Sequence, residues 1–407
     1  MNGPGASLIR LEGLRKAFGD DRVLDGVDLE VRRGEIMTVI GKSGVGKSVL
    51  LKLMINLFEP DGGRIWVEGR PLEEMSPAER KALRRKMSYV FQGTALFDSL
   101  TTFENIALPL RESAKLTRDE IDRRVRLRMD QLDLAGIDDK FPAQLSGGMK
   151  KRVALARALV TDPEIVLFDE PTTGLDPIRK HAVHSMIADY QKRLGFTAVL
   201  VSHEIPDVLY FSQRIAMLDE GKVRFVGTPA ALLASDDPVV REFLGGLSVQ
   251  AEGETGMAHP QDLDRCVSRE VARTAAGAGA LGLLTLTLAN LDDVNARVGF
   301  VAGQKAMGAL LGAVRGRLRA GDTAARVGLD QIAVLFSPAS SELARSWCEG
   351  LLSNLRSGAL FSAGPPADLC LRFSAGYAEA DAASTWPRLL EAAEEKKQPL
   401  EEFAVCP

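Results

Sequence analysis

The run GKSGVGKS, Gly41 to Ser48, constrains the fold more than any other segment of this 407-residue chain. It satisfies the spacing G-x-x-x-x-G-K-[ST], with the apolar run IMTVI (Ile36 to Ile40) before it and the helical run SVLLKLMINLF after it. Glycines let the backbone wind tightly, so that amide N–H groups point inward at phosphate oxygens, and the helix that follows adds partial positive charge at its N-terminus. Lys47 then reaches the β- and γ-phosphates of a nucleotide and Ser48 holds Mg²⁺. The candidate cradle is Gly41, Lys42, Ser43, Gly44, Val45, Gly46, Lys47, Ser48 and Val49.

Farther along, IVLFDE (Ile165 to Glu170) reads as a buried strand that delivers two carboxylates at its C-terminal end, beside the place where a phosphate loop sits. Asp169 is expected to hold Mg²⁺ through water. Glu170 is expected to orient or deprotonate an attacking water, since hydrolysis needs a base opposite the leaving phosphate.

From Leu8 to about Gly246, short β-rich runs alternate with helical segments, the pattern of a parallel sheet covered by helices. The stretch LSVQAEGETGMAHPQ is short of aromatics and carries glycines and a proline, as a linker does. The expected organisation is a first α/β domain over 1–246, a linker over 247–261 and a smaller second α/β domain over 262–407. A formal net charge of −4 offers no global basic field for nucleic acid. The N-terminus lacks the positive start and apolar stretch of a secretion signal, so the chain reads as cytosolic. The longest uncharged stretch, Thr274 to Leu291, holds glycines and then alternates Leu and Thr, which favours a strand over a membrane span. Cys266, Cys348, Cys370 and Cys406 form no C-x-x-C pair and are expected to be free thiols.

Between the two motifs lies LSGGMKKRVALARAL (Leu145 to Leu159), which resembles the signature of ABC-type ATPases; the resemblance covers Leu8 to about Gly246. Ser146, Gly147 and Gly148 open a helix and so offer a second set of anion-binding amides. The resemblance implies that this set closes over the γ-phosphate held by a second copy, giving a head-to-tail homodimer with two ATP molecules between subunits. It further implies that Gln92 in VFQG is the Q-loop glutamine, that Asp176 in GLDP is the D-loop aspartate, and that His203 in VSHE is the switch histidine. Phe18 in KAFG resembles the aromatic that stacks on adenine.

Three features, FQGTALFDSLTTFENIALPLRE (Phe91 to Glu112), Met149 in the signature and DPVVREFLGG (Asp237 to Gly246), together resemble the Mla/Mce-type ATPases. That resemblance implies phospholipid or other lipid traffic driven through a separate integral-membrane permease. A lipid-binding Mce-type subunit would complete the system, with this chain peripheral on the inner face of the cytoplasmic membrane. An ATPase of a polar-solute, amino-acid-type importer is the alternative.

The C-terminal part resembles the GGDEF diguanylate cyclase fold through LTLTLANLDDVNARVGFVAGQKAM and RAGDTAARVGLDQIAVLF. Its signature is altered: Gly328, Leu329, Asp330, Gln331 and Ile332 occupy the five positions. Thr287 falls where the first metal aspartate belongs and Gln304 where a base-contacting aspartate belongs, while Asn295 keeps a guanine-binding identity. Without hard anionic ligands two Mg²⁺ ions cannot be held beside a triphosphate, so no cyclase activity is expected. Arg319 and Asp322 resemble the R-x-x-D site through which such domains bind cyclic di-GMP.

Overall fold

The computed structural model describes residues 6–112, 116–203, 205–244, 260–275, 280–319, 321–357, 370–381 and 384–400. The chain divides into two compact units. One comprises Met1–Leu175 and Met186–Val240, the other Asp176–Ser185 and Arg241–Pro407.

In the first unit, strands β1 (Ser7–Phe18), β2 (Asp21–Arg32), β4 (Gly62–Val67) and β5 (Arg70–Pro71) form an antiparallel sheet in the order β2-β1-β4-β5. A second sheet holds β3 (Ile36–Ile40), β6 (Met87–Val90), β7 (Ile165–Asp169), β8 (Thr197–Val201), β9 (Arg214–Asp219) and β10 (Lys222–Gly227) in the order β10-β9-β3-β8-β7-β6. All its pairings are parallel except that of β10 with β9. Every residue of β3, β7 and β8 is buried. That is why they read as unbroken apolar runs: a parallel strand is covered on both faces. Helices α1 (Lys47–Met54), α2 (Pro77–Arg85), α3 (Thr102–Glu112), α4 (Arg118–Gln131), α5 (Gly147–Leu159), α6 (Pro177–Leu194), α7 (Ile205–Phe211) and α8 (Pro229–Leu233) occur along this part of the chain, the residues of α6 up to Ser185 being assigned to the second unit.

This topology positions the site. Strands β3, β8, β7 and β6 are consecutive neighbours running the same way, so their C-terminal ends share one edge of the sheet. That edge receives the phosphate loop after β3, Ser202 and His203 after β8, Asp169 and Glu170 at the end of β7, and Gln92 two residues beyond β6.

The second unit carries an antiparallel sheet of β11 (Gly282–Leu288), β12 (Thr323–Arg326), β13 (Gln331–Phe336), β14 (Phe373–Glu379) and β15 (Gln398–Pro399), in the order β12-β13-β11-β14-β15. Its helices are α9 (Pro260–Ala275), α10 (Leu291–Val298), α11 (Phe300–Arg315), α12 (Ser341–Ser357) and α13 (Trp386–Glu395). The Leu–Thr alternation of β11 marks a strand, yet all seven residues are buried. Leu284, Leu286 and Leu288 enter one apolar cluster with Trp347 and Phe336, while Leu283 joins a second with Leu263, Leu335 and Leu389, so both faces are covered.

The expected linker begins in 247–259, which lies outside the described residues, but its last two positions belong to α9. Cys266 and Cys348 are free, and burial pushes the Cys348 thiol up to about 12. Cys370 is disulfide-bonded, which corrects the expectation of four free thiols; Cys406 lies outside the described residues. No helix among the described residues is long and apolar enough to cross a membrane.

Candidate active site

The phosphate loop owes its shape to three glycines with positive φ: Gly41 (153°), Gly44 (81°) and Gly46 (105°). Gly46 is the N-cap of α1 in a left-handed conformation, and a Cβ there would lie 2.8 Å from the Val23 side chain. At Gly41 a Cβ would meet the Leu218 carbonyl at 2.3 Å. Neither position admits another residue without moving backbone. Lys47 is buried, and its ammonium donates to the carbonyls of Gly41 and Lys42, each at 2.9 Å. Burial lowers its pKa, opposed by the charges of Glu170 and Asp169.

The Ser48 hydroxyl donates to Asp169 Oδ1 at 2.6 Å, joining the start of α1 to the end of β7. The other Asp169 oxygen accepts from the Tyr89 hydroxyl at 2.6 Å, and burial, followed by this bond, pushes the phenol pKa up. Tyr89 was not anticipated from sequence, because a tyrosine inside the strand-like run MSYV reads as core. Its place two residues before Phe91 and three before Gln92 is the signal that links it to the site edge.

Glu170 is the hub. Its backbone sits at φ 46°, a left-handed conformation that costs a non-glycine residue about 1–3 kcal/mol, and its N–H donates to Val201 O at 3.1 Å. The carboxylate accepts from the Thr173 hydroxyl at 3.0 Å and from Gln92 Nε2 at 3.4 Å. His203 Nδ1 lies 3.5 Å from it and Lys47 Nζ 3.9 Å. Three of the residues expected from sequence, Gln92, His203 and Lys47, therefore converge on a fourth, and Thr173 joins them as a second unanticipated member.

The remaining candidates make contacts of their own. Ser146 caps α5, its hydroxyl accepting from Met149 N at 3.3 Å, and Gly147 and Gly148 follow in the first turn. A Cβ at either glycine would meet nothing within 4 Å. Phe18 is 46% exposed, edge-on to Phe58 with ring centroids 5.5 Å apart, with Lys16 Nζ 5.4 Å above its ring. Asp176 opens α6: its Oδ1 accepts from Arg179 N at 3.1 Å and its Oδ2 lies 3.3 Å from Arg179 Nε.

In the second unit, the altered five-residue turn is filled by neutral and internally paired groups. Gln331 Nε2 donates to Thr287 Oγ1 at 3.2 Å and to Glu394 Oε1 at 2.6 Å. Burial raises the Asp330 pKa, so its charged form is disfavoured. Asn295 is buried with Oδ1 against Gly303, where a Cβ would lie 2.0 Å from that oxygen, and the oxygen has no hydrogen-bond partner among the described residues. Arg319 and Asp322 are closed on each other, Nε to Oδ2 at 2.9 Å and Nη2 to Oδ1 at 3.0 Å, and the pairing raises the arginine pKa.

The ABC transporter family model matches residues 24–173, and the model described as diguanylate cyclase, GGDEF domain, matches 254–401. A probable ribonucleotide transport ATP-binding protein, mkl, of Mycobacterium leprae (strain TN) is 38% identical over 67% of this chain and 78% of its own length. The chain belongs to the ABC transporter ATP-binding family. The intermembrane phospholipid transport system ATP-binding protein MlaF of Escherichia coli (strain K12) is 36% identical over 63% of this chain and 94% of its own. A solved structure of cbiO1 from Clostridium perfringens, part of the ABC transporter complex cbiONQ, aligns with a TM-score of 0.53 at 30% identity. It covers 58% of this chain and 94% of that one.

As a member of this family, the chain binds nucleotide and hydrolyses ATP. The family match explains why one sheet edge gathers groups from four strands: an ABC ATPase needs lysine, hydroxyl, two carboxylates, amide and imidazole at one place, and adjacent parallel strands deliver them. The GGDEF match falls on the second unit, in which the turn carries glutamine and leucine at signature positions.

Proposed function

We propose that the chain is the ATP-hydrolysing subunit of a lipid-class ABC transporter, working as a homodimer against a separate integral-membrane permease, with the GGDEF-like domain in a regulatory role. The carrying observation is the Glu170 cluster, in which one carboxylate at a parallel-strand end is held by Thr173 and Gln92 and faced by His203 and Lys47. The relation to the phospholipid transport protein MlaF, over nearly all of that protein's length, supports the substrate class. The relation to mkl, whose description names ribonucleotide transport, supports a polar solute as the second reading, and no comparison favours an amino-acid importer.

In the proposed mechanism Lys47 carries its charge to the β- and γ-phosphates from an arm already fixed by two carbonyls, so little side-chain freedom is lost on binding. Gly41 to Val49 form the cradle and Phe18 offers its exposed ring to the base. The donor set of Ser48 hydroxyl, Asp169 carboxylate and Gln92 amide suits a hard cation, and Mg²⁺ bound there would neutralise phosphate charge as a Lewis acid. Glu170 accepts the proton of the attacking water, and its fixed rotamer keeps the base on one side of the phosphate. His203 is placed to contact the γ-phosphate.

Ser146, Gly147 and Gly148 supply amides to the ATP of the second copy, with Asp176 at the same interface. Glycines with open space around them are not demanded by the chain's own packing, and this supports a close approach by something outside it. Binding of ATP closes the dimer and hydrolysis reopens it, while the permease follows. The absence of a carboxylate at positions 287 and 331 supports a GGDEF-like domain without cyclase chemistry. A cyclic di-GMP that used the Nε–Nη2 edge of Arg319 would have to displace Asp322 from it.

The test is co-purification from a native host membrane with mass spectrometry of the recovered complex. A permease, a lipid-binding Mce-type subunit and bound phospholipid are expected; a permease with ribonucleotide would overturn the lipid assignment.

A further inference from the structure

Behind the altered turn of the second unit runs a buried chain of hydrogen bonds. Arg326, at the end of β12, donates from Nε to Gly328 O at 2.9 Å and from Nη2 to Leu329 O at 2.5 Å, bracing the turn from within. The same Nη2 donates to Gln304 Oε1 at 3.1 Å, and Gln304 Nε2 donates to Ser185 Oγ at 3.0 Å. Ser185 belongs to the second unit and lies on α6, the helix that Asp176 caps.

The three side chains are 8%, 3% and 4% exposed. A buried amide between a guanidinium and a hydroxyl is costly packing unless both ends are satisfied, and here both are. Such a bond fixes direction as well as distance: glutamine must present oxygen to Arg326 and nitrogen to Ser185. Apolar residues could bury the same surface without specifying register.

We infer that Arg326, Gln304 and Ser185 are positioning residues for ATP turnover, holding α6 and hence Asp176 in register with the Gly328–Leu329 turn. Through them the GGDEF-like unit sets the hydrolysis rate without binding nucleotide. The inference rests on the reading above that Asp176 acts at the ATP interface of the dimer.

The experiment uses the full chain, with steady-state phosphate release and ATP affinity measured for Ser185→Ala, Gln304→Ala and the double variant. Gln304→Met is added as a near-isostere that removes both the acceptor for Arg326 and the donor to Ser185. Each single variant is expected to lower kcat about fivefold or more with ATP affinity little changed, and the double variant to fall no further than the worse single. A purely structural contact would lower the melting temperature and leave kcat of the folded protein alone. Wild-type kcat in the folded Gln304→Met chain overturns the inference. Glu170→Gln, measured in parallel, separates the failures: if it still turns over, the ATP-site reading falls, and if it is inactive while the others run at the wild-type rate, only the relay falls.

Discussion

Glu170 concentrates the residue-scale argument, because its backbone strain and its four neighbours are otherwise hard to account for. Glu170→Gln keeps shape and removes the base, so phosphate release is expected to drop about 100-fold or more with ATP affinity nearly unchanged. Tyr89→Phe removes one donor from Asp169 and is expected to slow turnover about tenfold, the scale of a hydrogen bond to a charged group, in a chain that still melts cooperatively. Gln92 and His203 could be expected from sequence because VFQG and VSHE resemble the family's motifs, and His203 follows the apolar run VLVS. Tyr89 and Thr173 could not, since neither departs from what a strand or a turn ordinarily holds. At Arg319 the pairing with Asp322 occupies the Nε–Nη2 edge of the guanidinium. Calorimetric titration of cyclic di-GMP into the full chain is therefore expected to be silent at high micromolar ligand, whereas heat that vanishes in Arg319→Ala would show the pair opening.

Among the elements, the two sheets of the first unit are tied by a square of charges: Arg33 to Glu164 at 2.6 Å and to Glu68 at 2.8 Å, Lys86 to each of the same carboxylates at 3.0 Å. The Arg33 hydrogen bond, more than any other cause, holds the Glu164 carboxyl below its ordinary value. A depressed carboxylate pKa gives stability that is present above the unfolded value, about 4.3, and lost as pH falls through the folded one. Glu164→Gln is expected to melt lower than wild type at pH 7, with the difference shrinking as pH falls below about 4.3; a gap that does not shrink on acidification would contradict the charge network. The parallel strands β3, β7 and β8 were legible as unbroken apolar runs. In β11 the alternating pattern revealed the strand but concealed its environment, because Thr285 and Thr287 are small enough to be buried on the second face and find hydrogen-bond partners there. Helix α9 escaped notice since its apolar positions, Leu263 and Val267, are separated by polar residues and follow a glycine-rich stretch.

For the whole molecule, the account joins an ATPase of the ABC transporter family to a GGDEF-like unit whose signature turn is braced by its own arginine. Its central claim is that ATP brings two copies together and Glu170 then lets them part. The direct measurement is sedimentation of the full-length Glu170→Gln chain with and without ATP and Mg²⁺. The account predicts a dimer that retains two ATP per pair and dissociates on nucleotide removal. A chain that stays monomeric at saturating ATP would contradict it.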